Sequence, residues 1–198
     1  MWSYEKKLEY PVKIARPNLA LAKVIVTQLG GPHGELGAAM RYLNQRYTAA
    51  NDQTRAILTD IGTEELAHLE MISAILYQLT KNMSIDDIKK SGFDTYFVDH
   101  TAGIYPQAAS GMPFSTSTLA VTGDAIADLN EDMAAEQKAR LSYDNLLRLI
   151  DDPDVRDPIK YLREREIVHY QRFGEGLRTV LDGLDSKNFY AFNPSFDK

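Results

Sequence analysis

Apolar residues recur at helical spacing in four long stretches of the chain, and the spacing predicts four long helices. The first spans 18–47, where Leu21, Ile25, Gln28, Glu35, Ala39, Tyr42 and Arg46 trace one face. Asn18, just after Pro17, suits its N-cap. The second spans 52–80 behind Asn51 or Asp52, with an inner stripe of Leu58, Ile61, Glu65, His68, Ile72, Leu76 and Leu79. The third spans 118–150, with Ile126, Leu129, Met133, Glu136, Arg140, Tyr143, Leu147 and Ile150. Asp-Asp-Pro-Asp at 151–154 breaks the chain, and the fourth runs over 155–183 through Ile159, Leu162, Glu166, His169, Phe173, Gly176 and Val180. Gly183 marks its end.

The stretch 81–117 carries Gly, Pro, Ser and Thr throughout, with one short helix expected at "SIDDIKKS". Structureless loops of that length are uncommon in compact domains, so an ordered crossover is expected. The tail "DSKNFYAFNPSFDK" is aromatic and polar, and is expected to wrap over the domain or a neighbour. Helix pair, long crossover, helix pair is the order of an all-α, ferritin-like four-helix bundle, here one domain over 1–198. No segment reads as a strand.

The stretch "GGPHGELGAAM" at 30–40 interrupts this regularity. In a helix interior Gly costs about 1 kcal/mol and Pro about 3 kcal/mol relative to Ala. The expectation is a local distortion in which Pro32 starts a fresh helical segment. Gly30, Gly31 and Gly34 would then clear side-chain bulk beside Glu35, for a ligand or for a channel.

The chain has 198 residues, 44% of them hydrophobic and 25% charged, which suits an ordinary globular protein with a sizeable core. A net charge of −6 speaks against a nucleic-acid partner and against a polybasic membrane surface. The absence of cysteine excludes disulfides, thiolate catalysis, zinc fingers and iron–sulfur clusters. The N-terminus "MWSYEKKLEYPVKIARP" is charged where a signal peptide needs an apolar run. The longest apolar runs are far too short to span a bilayer.

Each helical stripe is broken by polar residues, and the breaks are of one kind. They are Glu35 on the first helix, Glu65 and His68 on the second, Glu136 on the third, and Glu166 and His169 on the fourth. An unpartnered buried carboxylate is costly. Four of them at one level of a bundle repel one another, and two bound cations would resolve that repulsion. In Glu-x-x-His, positions i and i+3 share a face, so carboxylate and imidazole can meet one ion. Two such pairs plus one Glu on each other helix form the dinuclear carboxylate pattern. The oxygen and nitrogen donors suit manganese or iron. The plainer reading is that the glutamates are solvated and the histidines packed, but both members of each pair lie on the apolar stripe. Glu64, Glu70, Glu131, Glu164 and Glu175 fall off the stripes and read as solvated. His33 faces away from Glu35 on a regular helix, and His100 sits in the crossover as a structural or exposed residue. Tyr42 and Tyr143 face inward, either as core or as hydrogen-bond partners of ligand carboxylates.

At these residues the chain resembles the manganese catalase family, and within it the short, spore-coat JC-type branch. "ARPNLALAKVIVTQLGGPHGELGAAMRYLNQRY" is similar to the family's first-ligand region, and "GTEELAHLEMI" and "EREIVHYQRFGE" resemble its two histidine regions. The resemblance implies two manganese ions per chain, one held by Glu35 and His68, the other by Glu136 and His169, with Glu65 bridging. It implies that Glu166 is a proton-relaying acid/base and not a ligand, unlike the symmetrical four-glutamate reading of the residues alone. It further implies disproportionation of hydrogen peroxide to water and dioxygen, the metal pair cycling by two electrons. A homo-oligomer is expected, a hexamer being typical of the family, in the cytoplasm or in a spore coat with other coat proteins. Two departures stand out. Ala135 replaces an arginine that some members carry before the third-helix glutamate, and the C-terminal extension of longer members is short here. The competing functions are a ferritin-like di-iron oxidase or peroxidase, and a mainly structural spore-coat protein.

Overall fold

The computed structural model describes residues 3–184. The tail expected to wrap over the domain lies outside the described residues. The elements are helices, in the order α1 (Leu19–Ile25), α2 (Thr27–Gly30), α3 (Glu35–Gln45), α4 (Asp52–Thr80), α5 (Ile85–Ser91), α6 (Asp94–His100), α7 (Ala125–Leu149) and α8 (Pro153–Asp182). Short 3-10 turns follow α3 and precede α7. The described residues form no strand, only an isolated bridge between Gln107 and Pro113 in the crossover. α7 packs along α8, α3 along α4, and α4 against α8, which closes a ferritin-like helical bundle.

Helix starts follow the side chains that satisfy orphan N–H groups. Asn18 accepts from Leu21 N at the start of α1, and Asn51 from Thr54 N at the start of α4. Ser84 and Asp87 form a reciprocal capping box on α5. Asp152 caps α8, with Pro153 at its first position. The third long helix begins at Ala125, not at 118. Gly123 takes a left-handed φ of 84°, Asp124 caps the helix, and the buried Asp128 carboxylate accepts from Thr122 N and Gly123 N. That closed turn stops the helix from extending backward.

The crossover holds two short helices where one was expected. α6, "DTYFVDH", was not visible because β-branched and aromatic residues form helices weakly and none of its residues is fully buried.

The first long helix is in three pieces. After α2, Gly31 is extended (φ −71°, ψ 175°), and Gly34 is extended again before α3 resumes at Glu35. Pro32 therefore lies in the break and does not start the new segment. The missing Cβ atoms do not face Glu35. A Cβ on Gly30 would sit 2.3 Å from the backbone carbon of Pro106 in the crossover. A Cβ on Gly31 would sit 2.5 Å from Thr27 O, and one on Gly34 2.8 Å from Gln28 O. The glycines make room for the crossover and for the preceding turn.

Two apolar clusters fill the bundle. One contains Ile25, Ile72, Ile75, Tyr143, Ile159 and Leu162. The other contains Tyr42, Ile57, Leu58, Ile61, Leu129 and Phe173. On α4, Glu65 and His68 fall between Ile61 of one cluster and Ile72 of the other, so a polar layer separates two cores. The N-terminal segment straps the outside of α4 and α8. Gln78 pins its backbone at Ile14 N and Val12 O, Tyr10 stacks on Tyr161, and Tyr161 donates to Glu9.

Candidate metal centre

All six residues singled out on the stripes enter that polar layer, and none is more than 2% exposed. His68 Nδ1 lies 3.0 Å from Glu65 Oε2 and 3.9 Å from Glu35 Oε2. His169 Nδ1 lies 2.9 Å from Glu65 Oε1 and 3.4 Å from Glu136 Oε2. Glu65 thus offers one oxygen to each imidazole. The two rings stack with centroids 5.4 Å apart. Glu166 is close as well: one donor atom from each of Glu65, His68, Glu166 and His169 lies within 4.8 Å of the others.

The donors are under-used within the protein. Glu65 Oε1, Glu136 Oε2, Glu166 Oε1 and His169 Nδ1 are buried without a hydrogen-bond partner. Each such atom costs about 1–3 kcal/mol. Glu65 Oε1 and His169 Nδ1 are close enough to bond, yet are not aligned on each other. Their lone pairs converge on shared space, as donors around a cation do. A buried set of carboxylate oxygens and imidazole nitrogens without thiolates fits manganese or iron.

Proton affinities carry the same message. Burial pushes the Glu65 carboxyl up, but the charges of His169 and His68 outweigh it and hold it below the usual carboxylate range. Burial pushes His68 down, but Glu65, Glu64 and Glu35 raise it to about 10. His169 is likewise lifted far above the usual imidazole range, chiefly by Glu65 against the effect of burial. Glu35 and Glu166 are pushed well up by burial and then by neighbouring carboxylates. Without metal, the layer holds protons on its imidazoles and on part of its carboxyls, where cations would otherwise supply the positive charge.

The surrounding hydrogen bonds are paired across the bundle. Tyr42 on α3 donates to Glu136 on α7, and Tyr143 on α7 donates to Glu35 on α3. Each tyrosine serves the opposite helix, because its own glutamate lies two turns, about 10 Å, away.

Glu64 corrects the sequence reading. It is not a solvated surface residue but is largely covered, with its side chain 19% exposed. Its Oε1 lies 3.5 Å from His68 Nε2 and its Oε2 3.3 Å from His169 Nε2. Arg165 grips the same carboxylate at 2.5 and 3.1 Å. Ligand histidines commonly turn their second nitrogen to a carboxylate, and Glu64 stands in that position for both rings. Its i, i+4 spacing to His68 was the available signal. Glu9 also comes within 3.7 Å of His68 Nε2, which only the N-terminal strap makes possible.

Asp128 and Asp132 were missed too. Both are buried, two turns and one turn respectively before Glu136 on the same face of α7, and Asp132 accepts from Gln45. His33 is half-buried, at the edge of a cleft of about 10 Å³ that reaches Glu35, Glu136 and Glu166. That is room for about one water-sized molecule. His100 stacks on Tyr105 at 4.0 Å in the crossover, away from the cluster, as expected of a structural residue.

A helical bundle whose central layer gathers two Glu-x-x-His pairs and two further glutamates belongs to the dinuclear metal–carboxylate class. Within that class the chain belongs to the family of manganese-containing catalases, whose pattern matches residues 1–187. Protein CotJC of Bacillus subtilis is 48% identical, over 96% of this chain and 100% of its own length. A probable manganese catalase of Clostridium acetobutylicum is 34% identical, over 96% of this chain and 85% of its own. The crystal structure of KatB, a manganese catalase from Anabaena, superposes with a TM-score of 0.84 at 32% identity, covering 91% of this chain and 81% of that one. The metal centre of this family is dimanganese, and the buried glutamate–histidine layer has the composition to hold one. Among the described residues no helix is long and apolar enough to cross a membrane.

Proposed function

We propose that the chain is a dimanganese catalase that converts two hydrogen peroxide molecules to two waters and one dioxygen. One observation carries the reading: Glu65 turns its two oxygens to two different imidazoles, whose Nδ1 atoms sit 3.0 and 2.9 Å away. One carboxylate shared between two nitrogen donors is the arrangement of a bridged metal pair. Glu35 and His68 would hold the first ion, Glu136 and His169 the second, and Glu65 would serve both. When bound, the manganese pair supplies the two-electron change that each peroxide requires.

The chain's own residues supply the rest. Tyr143 and Tyr42 fix the outer ligands Glu35 and Glu136 by hydrogen bonds from opposite helices. Glu64, held by Arg165, stands 3.5 and 3.3 Å from the outer nitrogens of the two imidazoles. Glu166 lines the small cleft, and its buried Oε1 has no hydrogen-bond partner, so it could take a proton from one peroxide and return it to another. The two apolar cores keep bulk water from the layer. A place in the cytoplasm or a spore coat and a homo-oligomeric state are what the resemblance to the JC-type branch implies.

The test is oxygen evolution from peroxide by protein purified with manganese, together with its metal content. Two metals per chain and oxygen release are expected. Fewer than one metal per chain without oxygen release overturns the reading and leaves a structural coat protein. Iron uptake with oxygen consumption points instead to a di-iron oxidase. His169→Ala and Glu65→Gln are expected to lose the metal pair and at least about a thousandfold of activity. Full activity in either removes the ligand assignment.

A further inference from the structure

The outer ends of the two imidazoles belong to a second group of donors that the metal layer does not use. Each ring turns Nδ1 inward to Glu65 and Nε2 outward, and both Nε2 atoms are buried without a hydrogen-bond partner. Glu64 Oε1 stands 3.5 Å from His68 Nε2, and Glu64 Oε2 3.3 Å from His169 Nε2. Glu9 Oε2, brought in by the N-terminal strap, stands 3.7 Å from His68 Nε2. The other Glu9 oxygen accepts from Tyr161 at 2.6 Å, which leaves Oε2 turned to the imidazole. One donor atom from each of Glu9, Glu64 and His68 lies within 4.8 Å of the others, close enough to meet one ion. Exposure falls along the same line, from 28% for the Glu9 side chain to 19% for Glu64 and 0% for His68. These donors lead from solvent to a ring whose other nitrogen already faces the layer. The cleft that reaches Glu166, of about 10 Å³, has room for one water-sized molecule and not for a hydrated cation.

We propose that Glu9, Glu64 and His68 Nε2 form an outer site for a divalent transition-metal cation, where manganese is received before it reaches the buried layer. Two carboxylates and one imidazole suit manganese or iron better than magnesium or calcium, which take oxygen donors. The site is built to be weak. Arg165 bonds both oxygens of Glu64, at 2.5 and 3.1 Å, so Glu9 and Glu64 against Arg165 leave a single negative charge. A site that passes an ion on must hold it firmly enough to collect it and loosely enough to release it. The Glu9 carboxylate, nearest to solvent, also raises the local concentration of cations. Once the layer is filled, Glu64 is left to orient the two rings, as a carboxylate behind ligand histidines does.

This inference rests on the layer holding manganese, as the proposed function requires, and it is tested without peroxide. Metal-free protein is mixed with manganese(II), and uptake is followed by loss of the electron paramagnetic resonance signal of the free aqueous ion. Because ions collect first at the outer site, the loading rate should level off as manganese concentration rises. Glu9→Gln is expected to raise the half-saturating concentration by at least about tenfold. Its manganese content at equilibrium should match that of the unaltered protein, with the affinity of the layer within about threefold. Glu9→Asp keeps the charge at a shorter reach, and should shift half-saturation by only about threefold. Three results overturn the proposal. One is a loading rate in the unaltered protein that rises linearly with manganese throughout. Another is Glu9→Gln loading as fast as the unaltered protein or faster, which would make the strap a mere cover. The third is Glu9→Asp loading as slowly as Glu9→Gln, which would trace the effect to the packing of the strap. Saturable uptake without oxygen evolution removes the catalase reading and leaves the outer site standing. Oxygen evolution with linear uptake does the reverse.

Discussion

α3 and α7 bring the same pair of residues to the buried glutamate–histidine layer on different backbones. Each carries a glutamate and, seven residues later, a tyrosine that bonds the other helix's glutamate. Glu136 does this from the middle of an unbroken helix of 25 residues. Glu35 does it from the first turn of a helix of 11, just after a four-residue break. Both carboxylates end up buried, so the break is not needed to place a carboxylate. The helices differ in what crosses them. The crossover backbone at Pro106 and Gln107 lies directly on Gly30, at a distance no side chain would permit. The glycines before Glu35 therefore serve the chain's route between the helix pairs. A secondary gain is that Glu35 sits at a helix N-terminus, where exposed N–H groups favour a carboxylate.

Gly30→Ala attacks that difference most directly. The added methyl would lie 2.3 Å from backbone, which cannot swing aside like a side chain. The expected loss is about 3 kcal/mol, or a fall of roughly 6–12 °C in Tm for a chain of this size. Gly37→Ala is the control, because its methyl meets only the side chains of Leu119 and Phe114 at 3.6 and 3.8 Å. A thermal melt in which both variants match the unaltered protein would mean that the break serves something other than the crossover.

Glu64→Gln tests whether the two halves are held alike from outside. One carboxylate faces both Nε2 atoms, at 3.5 and 3.3 Å. Its loss is expected to weaken manganese binding by about 10–100-fold at both positions together. Stepwise metal titration checks this, and loss of a single ion would show that the halves are held separately. Tyr42→Phe and Tyr143→Phe ask the same from within. Each removes one hydrogen bond to a carboxylate proposed as a ligand, and each is expected to lower metal affinity by about tenfold. Equal effects fit the mirrored pairing. A harmless Tyr143→Phe beside a damaging Tyr42→Phe would show that the helix start at Glu35 makes its tyrosine dispensable.

These tests also divide what the sequence disclosed from what it concealed. The stripes put Glu35, Glu65, His68, Glu136, Glu166 and His169 on inward faces, and all six are buried, whereas Arg46 and Arg140, read onto the same stripes, are only half-buried. The same logic located Tyr42 and Tyr143 but not their partners, since a stripe says which face is inward and not what stands opposite. Glu64 escaped because it sits beside the inner stripe of α4 and meets the imidazoles only as they turn outward. Glu9 and the Gly30 contact escaped because both depend on segments remote in sequence, the N-terminal strap and residues 106–107. The start of α7 was misplaced by seven residues because the turn that stops it is held by the Asp128 side chain, a tertiary feature.

The smallest effect expected is one of pH, and it bears on the α3 side of the comparison. In metal-free protein Glu35 and Glu166 titrate above the ordinary 4.5, and His68 is raised from 6.5 to about 10. All three hold protons in the fold that the unfolded chain has released. The stability they contribute is complete below the unfolded values and is lost as pH rises through the folded ones. Glu64 and Glu65, held below 4.5, act oppositely: their contribution is present above 4.5 and is lost as pH falls. Metal-free protein should therefore be most stable near pH 4.5 and weaken as pH rises towards 10, first through Glu35 and Glu166 and then, above about 6.5, through His68. Manganese requires the same groups deprotonated, so its hold strengthens as pH rises. Melting with chelator and with manganese should show the Tm gap widening by several degrees between about pH 5.5 and 8.5. Glu35→Gln, which removes one of the raised carboxyls, should flatten the metal-free decline. A Glu35→Gln protein whose metal-free stability falls with pH as steeply as before would place the stored proton elsewhere in the layer, and the helix start at Glu35 would then have no electrostatic consequence.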